Sequence, residues 1–536
     1  MQAKPIFITL GMGHKAIVRS FYDPDLLPIY RDHAGTWNKK HKVWEYHCLR
    51  VPALIESLQK AGCEVNTDEN IFRFLNELRE LQELSRAHNT DASLELPDAL
   101  YPFQRVGVEF GIRTAGRCII ADEQGLGKTV EALMILRHFS PSRTLIVAPA
   151  SVLENWRRET KHWLNEDAWV VKQGKKKNDA TAKAQICIVS YDLLQKIEYQ
   201  PEMLILDEAH YIRNQRTTRT KSVLDMSQRC KMVIALTGTP VLNRPAELWP
   251  IWQAVQPSTC PGWWAYARRY CDATKTEYGW DVGGATNTTE LTQTLRTFML
   301  RRKKTDVMKE LPAIIRRVVP LRPNTQSKLL RKLRALAKSG QELTPLTRVA
   351  LMGDVFAEFT ANAERKATLP EFNDYIRNTL EQNSDKMVIF AKHHTLIQAI
   401  TGILDSCQTE FITLTGKTRR ELRQPLIDRF NQDKNCRVAV LSLGVGCEGL
   451  NLQSASQAII AELDWSPSIL AQAESRLHRI GQSSVVEITY LLYGRFEDRL
   501  YALLANKSGI IMSTVDGDND TTGSIDLLEA LLNSEA

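Results

Sequence analysis

Long hydrophobic runs are missing from this chain of 536 residues. No stretch approaches the ~18 consecutive apolar residues of a spanning helix, which excludes an integral membrane protein of that kind. A secretory leader is not expected either. The opening MQAKPIFITLGMG carries one short apolar run, residues 6–10, and no cleavage site, so export by a signal peptide is not expected. The ten cysteines form no CxxC pair and follow no repeat. A disulfide framework or zinc cluster is therefore not expected, and a reducing intracellular setting, cytoplasm or nucleoid rather than nucleus, fits best. Charge of one sign is scarce: 69 Lys and Arg against 62 Asp and Glu leave +7, which permits a polyanionic partner without demanding one.

What is present is the balance of a globular protein, 43% hydrophobic and 24% charged. Its length suits three or four folding units. Residues 1–65 read as a small α+β unit, with a hairpin turn over 39–42 between Trp37 and Trp44. Residues 66–97 read as a charged helical linker. From 98 onward short β-branched runs alternate with helical stretches, the pattern of parallel βαβ units. Expected strands lie at 118–121, 144–148, 185–190, 203–207 and 232–237, then at 386–391, 411–414, 437–441, 457–461 and 485–492. Two tandem α/β domains follow, 98–320 and 321–508, with helical insertions between about 243 and 380. Residues 509–536 read as an acidic, disordered tail, save for a final helix at 524–532.

The most informative segment is CIIADEQGLGKTVEA, residues 118–132. An apolar strand runs into Gly125, Leu126, Gly127, Lys128 and Thr129, and then into a helix. Glycines let backbone N–H groups curl around phosphate oxygens, and the helix N-terminus adds its partial positive charge. Lys128 would reach the β- and γ-phosphates of ATP, and the Thr129 hydroxyl would bind Mg²⁺. The strict loop pattern wants glycine at 122, where this chain has Asp122. About eighty residues on, the apolar strand Leu204-Ile205-Leu206 delivers Asp207 and Glu208 at its C-terminal end. Ligands of parallel sheets bind at that edge. Asp207 can hold the metal through water, and Glu208 can orient and deprotonate an attacking water. Further along, Gln472, Arg476 and Arg479 fall on one face of an expected helix. Two guanidiniums aimed across a cleft would neutralise charge on the γ-phosphate; a solvated basic face would read the same way.

Together these elements resemble the superfamily-two helicase-like ATPases, and more narrowly the Swi/Snf family, over residues 98–505. In that family the first motif carries Asp where Asp122 stands. The resemblance implies two recombinase-like lobes closing over ATP and Mg²⁺. Lobe one would supply Lys128, Thr129, Asp207 and Glu208, with Gly125 and Gly127 in the phosphate turn and Gln104 as the adenine contact. Lobe two would supply Gln472, Arg476 and Arg479. Ile146 to Trp156, Ile188 to Tyr191, Leu236 to Pro240 with Asn243 and Glu247 to Trp249, and Leu441 to Leu452 resemble further family motifs, and HRIGQ (478–482) is quite specific to Swi/Snf proteins. Residues 269–312, from Arg269-Tyr270 through Glu290 to Arg301-Arg302-Lys303-Lys304, resemble the HARP-type annealing-helicase branch, as do Tyr22 to Asp25, Trp37 and Trp44 of the first unit. The implied partner is duplex or branched DNA, held without base reading. The implied DNA-facing residues are Pro149, Ala150, Ser190, Thr415, Gly416 and Ser442.

Basic runs at Lys175 to Lys177 and Arg301 to Lys304 would add sequence-blind attraction if exposed. Gly11, Gly13 and Lys15 read as a turn, His393-His394 as unsuited to a metal, and Cys447 as a packing residue.

Overall fold

A computed structural model describes residues 5–11, 15–33, 35–90, 94–171, 184–240, 244–276, 279–322, 325–339, 344–446, 450–516 and 527–533. Lys175 to Lys177, Asn243, Cys447 and the glycine at 13 lie outside them.

The α/β alternation produces two parallel sheets. In lobe one the strand order is Met299–Leu300, Arg117–Ile120, Met232–Leu236, Met203–Leu206, Thr144–Ala148, Ile186–Ser190 and Ala168–Val170, every pair parallel. In lobe two it is Ile314–Leu321, Val486–Tyr493, Gln457–Ile460, Met387–Ala391, Val438–Ser442 and Phe411–Leu414, again all parallel. Helices cover both faces, so the central strands are buried throughout and carry continuous β-branched runs instead of alternation. None of the helices among the described residues is long and apolar enough to cross a membrane.

Three strands of these two sheets were not expected: Ala168–Val170, Met299–Leu300 and Ile314–Leu321. The last is IIRRVVPL, an edge strand whose Pro320 and exposed Arg316 and Arg317 disguise it. It belongs to the second sheet, which moves the crossing between lobes from residue 320 back to the segment after Leu300. Consecutive edge strands of the two sheets are thus joined by residues 301–313.

Residues 66–97 also depart from the linker expected. Helix Glu69–Leu84, capped by the Asp68 carboxylate on Ile71 N–H at 2.7 Å, packs Ile71, Phe74, Leu75 and Leu78 against the N-terminal sheet. That sheet, in the order Thr36–Asn38, Val43–His47, Lys15–Arg19, Pro5–Leu10 and Glu64–Thr67, is antiparallel except for its last pair. Trp37 pairs with Trp44 across the expected hairpin; Trp44 is buried and Trp37 half-exposed. At the other terminus, helix Gly494–Asp516 runs past the expected limit of lobe two, and helix Leu527–Asn533 buries Leu527, Leu528 and Leu531 in its core. Each such burial contributes roughly 1.5–3 kcal/mol, which a disordered tail would forgo.

Candidate active site

The strand Arg117–Ile120 leads through Ala121 to Asp122, and the chain then turns through Gly125 and Gly127 into helix Lys128–Phe139. Both glycines have φ near +90°, where a side chain is strained. Space forbids one as well: a methyl group at Gly127 would lie 2.4 Å from Gln104 Nε2, and at Gly125 2.9 Å from Arg479 Cβ. Lys128 Nζ donates to the Asp122 carbonyl at 2.8 Å; burial pulls its pKa down against the pull of Glu208, Asp122 and Asp207. The Gln104 amide donates to the Leu126 carbonyl at 3.0 Å and accepts from Tyr101 N–H at 3.0 Å, so it braces the phosphate turn from behind.

Asp122 is buried for a reason. Its carboxylate accepts the backbone N–H of Arg302 at 3.0 Å and pairs with the Arg302 guanidinium, which also reaches Glu131 at 2.7 Å. Arg302 is 2% exposed. Burial pushes the Glu131 carboxyl up to about 8 even with Arg302 beside it. Lys304, 5% exposed, donates its backbone N–H to Glu123 at 2.8 Å and its ammonium to the His478 carbonyl at 2.5 Å. Arg301 bonds the Ala121 carbonyl at 2.8 Å. The basic run 301–304 is therefore spent largely on internal partners, not on the exposed attraction its composition suggested.

Asp207 and Glu208 stand just past the end of Met203–Leu206, as expected. Trp156 Nε1 donates to Asp207 Oδ2 at 2.7 Å, Glu208 N–H to Oδ1 at 2.9 Å, and the Tyr191 hydroxyl to the Asp207 carbonyl at 2.7 Å. Burial and the neighbouring Glu208 lift the Asp207 carboxyl to about 6. Burial acts upward on Glu208 too, but His210, 3.2 Å away, with Lys128 and Arg476 outweighs it and holds that carboxyl at about 2. Glu208 thus stays ionised, as a group that takes a proton from water must be.

Lobe two closes the site. Helix Pro467–Glu474 ends earlier than expected, because Ser475 caps it. Gln472 lies on it, while Arg476 and Arg479 sit on the turn beyond, so the single helical face is corrected to a helix plus a turn. Arg479 nevertheless meets the phosphate turn at Gly125. The Ser475 hydroxyl donates to Gln124 Oε1 at 2.8 Å, Ile480 N–H lies 3.5 Å from the Gly125 carbonyl, and the Arg476 charge acts on Glu208. Burial and Arg476 bring the Arg479 pKa down to about 10. Gln124 Nε2, Thr239 Oγ1 and Arg479 Nε are buried without a hydrogen-bond partner, polar atoms of the kind a polyanion satisfies. Gln124, Ser475 and Lys304 were not foreseen; their partners lie 174 or more residues away along the chain.

Beside the carboxylates lies a cavity of about 390 Å³ lined from both lobes, with Pro149, Glu208, Arg213 and Arg219 on one side and Gly444, Ser466 and Gln472 on the other. Pro149 and Ser190 follow or end adjacent strands of the first sheet, and Thr415 and Ser442 adjacent strands of the second. Ala150 is half-buried, Ser190 5% exposed and Gly416 open to solvent. His393 is engaged elsewhere, its Nδ1 2.6 Å from Glu462 Oε1.

Such a site, a phosphate turn and paired carboxylates in one parallel-sheet lobe facing two arginines from another, defines a two-lobed helicase-like ATP hydrolase. The model of the SNF2-related domain matches residues 70–357, and that of the helicase conserved C-terminal domain residues 369–481. The chain belongs to the SNF2-related family. It is 34% identical over 446 residues to the SWI/SNF-related matrix-associated actin-dependent regulator of chromatin subfamily A-like protein 1 of Xenopus tropicalis, covering 80% of this chain and 46% of that protein. It is also 34% identical over 480 residues to the DNA annealing helicase and endonuclease ZRANB3 of Bos taurus, covering 81% and 44%. The chain thus spans less than half the length of either relative. The solved Sulfolobus solfataricus SWI2/SNF2 ATPase core in complex with dsDNA shares 23% identity over 80% of this chain and 95% of that one, at a TM-score of 0.39.

Proposed function

We propose that this chain is a motor that couples ATP hydrolysis to movement along duplex DNA, and that it acts on branched DNA to anneal or remodel it. The observation that carries the ATPase half is the seating of Arg479 against Gly125, lobe two on lobe one, beside Asp207 and Glu208. Thr129 and Asp207 would hold a magnesium ion, which supplies charge neutralisation at the β- and γ-phosphates. Their hard oxygen donors suit that ion, and the glycine turn that a methyl group would fill suits the phosphates it accompanies. Lys128 binds the phosphates. Glu208 orients the attacking water and takes its proton, and Arg476 and Arg479 stabilise the charge that develops, an effect typically worth ~10³–10⁵ in rate. Hydrolysis releases the arginines and lets the lobes swing about residues 301–313.

Support for DNA comes from the sheets. Pro149 lines the cavity between the lobes, and Ser190, Thr415 and Ser442 stand at or just past the C-terminal ends of parallel strands, where their backbone groups and hydroxyls, with those of Gly416, would suit a sugar–phosphate strand. A reducing intracellular setting, argued from the unpatterned cysteines, is part of the same proposal. The test is the ATPase rate with single-stranded, duplex and forked DNA and with RNA. Duplex or forked DNA should stimulate most, and increasingly less as salt rises. Equal stimulation by RNA, or none by any ligand, would refute the proposal.

A further inference from the structure

Asp207 is held from two directions, and each hold leads to a segment that the proposed DNA groove contains. One is the helix Leu153–Leu164. Val152 N–H donates to the Pro149 carbonyl at 3.1 Å, and Trp156 N–H donates to the Val152 carbonyl at 2.9 Å. The Trp156 indole then meets the Asp207 carboxylate at 2.7 Å. Trp156 is 1% exposed and packed in the core of lobe one, so its ring cannot turn independently of that helix. A shift at Pro149 therefore reaches Oδ2 through three hydrogen bonds and one rigid ring.

The second is the end of strand Ile186–Ser190. Tyr191 directly follows Ser190, and its hydroxyl bonds the Asp207 carbonyl at 2.7 Å. The Tyr191 ring stacks on Tyr211 with centroids 5.5 Å apart and planes within 12°. Arg219 lies over both rings, at 6.0 and 5.2 Å, and pairs with Asp192 at 2.7 Å. Tyr211 N–H in turn donates to the Glu208 carbonyl at 2.9 Å. Ser190 pairs with Ala148, the residue before Pro149, so the two routes start side by side and converge on one residue.

We infer that Trp156 and Tyr191 are positioning residues that transmit occupancy of the DNA groove to Asp207, and so make hydrolysis depend on DNA. The inference deepens the function proposed above and rests on it. Neither residue is among those proposed above to hold ATP. Each sets where the Asp207 carboxylate sits, one through an oxygen and the other through the backbone, and groups orienting a ligating carboxylate govern what it can hold. A groove contact that moves either segment by a fraction of an ångström moves that carboxylate with it.

The test uses the full chain with Y191F, which keeps the ring and deletes one donor, and W156F, which deletes the indole donor together with one of its two fused rings. The ratio of duplex-stimulated to DNA-free ATPase rate should fall at least fivefold in either variant, while DNA affinity by fluorescence anisotropy stays within twofold of the parent. A ratio equal to the parent's overturns the inference, including when both rates fall in step, the mark of a merely structural role. So does a ratio that falls only together with DNA affinity. A readout independent of turnover is the ¹⁹F spectrum of the parent labelled with 5-fluorotryptophan, the Trp156 line assigned from W156F, or from W156Y should W156F not fold. Adding duplex DNA should move that line, and an unmoved line overturns the inference. Absence of DNA stimulation in the parent itself would instead strike the proposed function.

Discussion

Replacing Lys304 with methionine should separate two roles that a buried charge usually confounds. The Lys304 ammonium is 5% exposed, and burial, reinforced by Lys128 and Arg479, brings its pKa from 10.5 to about 8. Keeping it charged at pH 7 therefore costs about 3 kcal/mol of folding stability. Against that, its bond to the His478 carbonyl at 2.5 Å is charge-assisted and contributes roughly 1.5–3 kcal/mol. K304M removes both, so the unfolding free energy should change by no more than about 1 kcal/mol. Catalysis should not be spared. The lost bond anchors the residue before Arg479 to the segment joining the lobes, and a misplacement of about 1 Å costs on the order of 10² in rate. The expected result is a kcat lowered ~10–100-fold with an unchanged melting temperature, measured with duplex DNA at saturating ATP. In the parent, raising pH through 8 deprotonates Lys304 in the folded state while the unfolded chain still keeps its proton. Stability from this group should thus rise between pH 8 and 10.5 as the DNA-stimulated rate falls. A kcat within twofold of the parent would refute the anchoring role, and so would a kcat loss matched by a lowered melting temperature.

Lys128→Ala or Glu208→Gln should abolish ATP turnover while circular dichroism and melting temperature stay at parental values; near-normal hydrolysis by either would remove the site assignment. Arg302→Met strands the buried Asp122 carboxylate and removes the bond to the Glu131 carboxyl, and should cost roughly 3–5 kcal/mol in urea unfolding. A loss below about 1 kcal/mol would show the triad to be unimportant for stability. Glu290 is pushed up by burial but held at about 2 by bonds from Arg269 and Tyr270 and by the Arg50 charge. Its stabilisation of about 3 kcal/mol is complete above the ordinary 4.5 and is lost as pH falls from there towards 2. E290Q should remove that part of the acid-limb slope and loosen the N-terminal unit, read by limited proteolysis.

The catalytic set was legible because its parts are local: a glycine turn between strand and helix, two carboxylates after an apolar strand, two arginines three residues apart. Spacing along the chain decides such features, so Lys128, Thr129, Asp207 and Glu208 follow the strands and turn read from the sequence, whereas Arg476 and Arg479 lie on a turn beyond their expected helix. Central strands were legible for a related reason, since burial on both faces leaves an unbroken apolar run. What escaped depends on distant partners. Arg302 reads as a surface charge until Asp122, 180 residues away, is folded beside it. Ile314–Leu321 reads as a basic connector because an edge strand has one free side. Helix Glu69–Leu84 reads as a linker because half of its apolar stripe finds its partner only in the N-terminal sheet. The end of Pro467–Glu474 before Arg476 follows from the Ser475 cap, which also faces Gln124 across the cleft.

The Glu290 carboxylate gathers Arg50 of the N-terminal unit at 2.7 Å together with Arg269 and Tyr270 of the lobe-one insertion, and Gln82 reaches the Gln293 carbonyl at 3.0 Å nearby. The N-terminal sheet is consequently a passenger of lobe one and no tethered appendage. When lobe two pivots, this sheet works as a lever arm whose far tip travels further than the active site does. One dye on the exposed turn at Lys40 and another on lobe two at Lys417 would therefore report each cycle as a change in energy transfer.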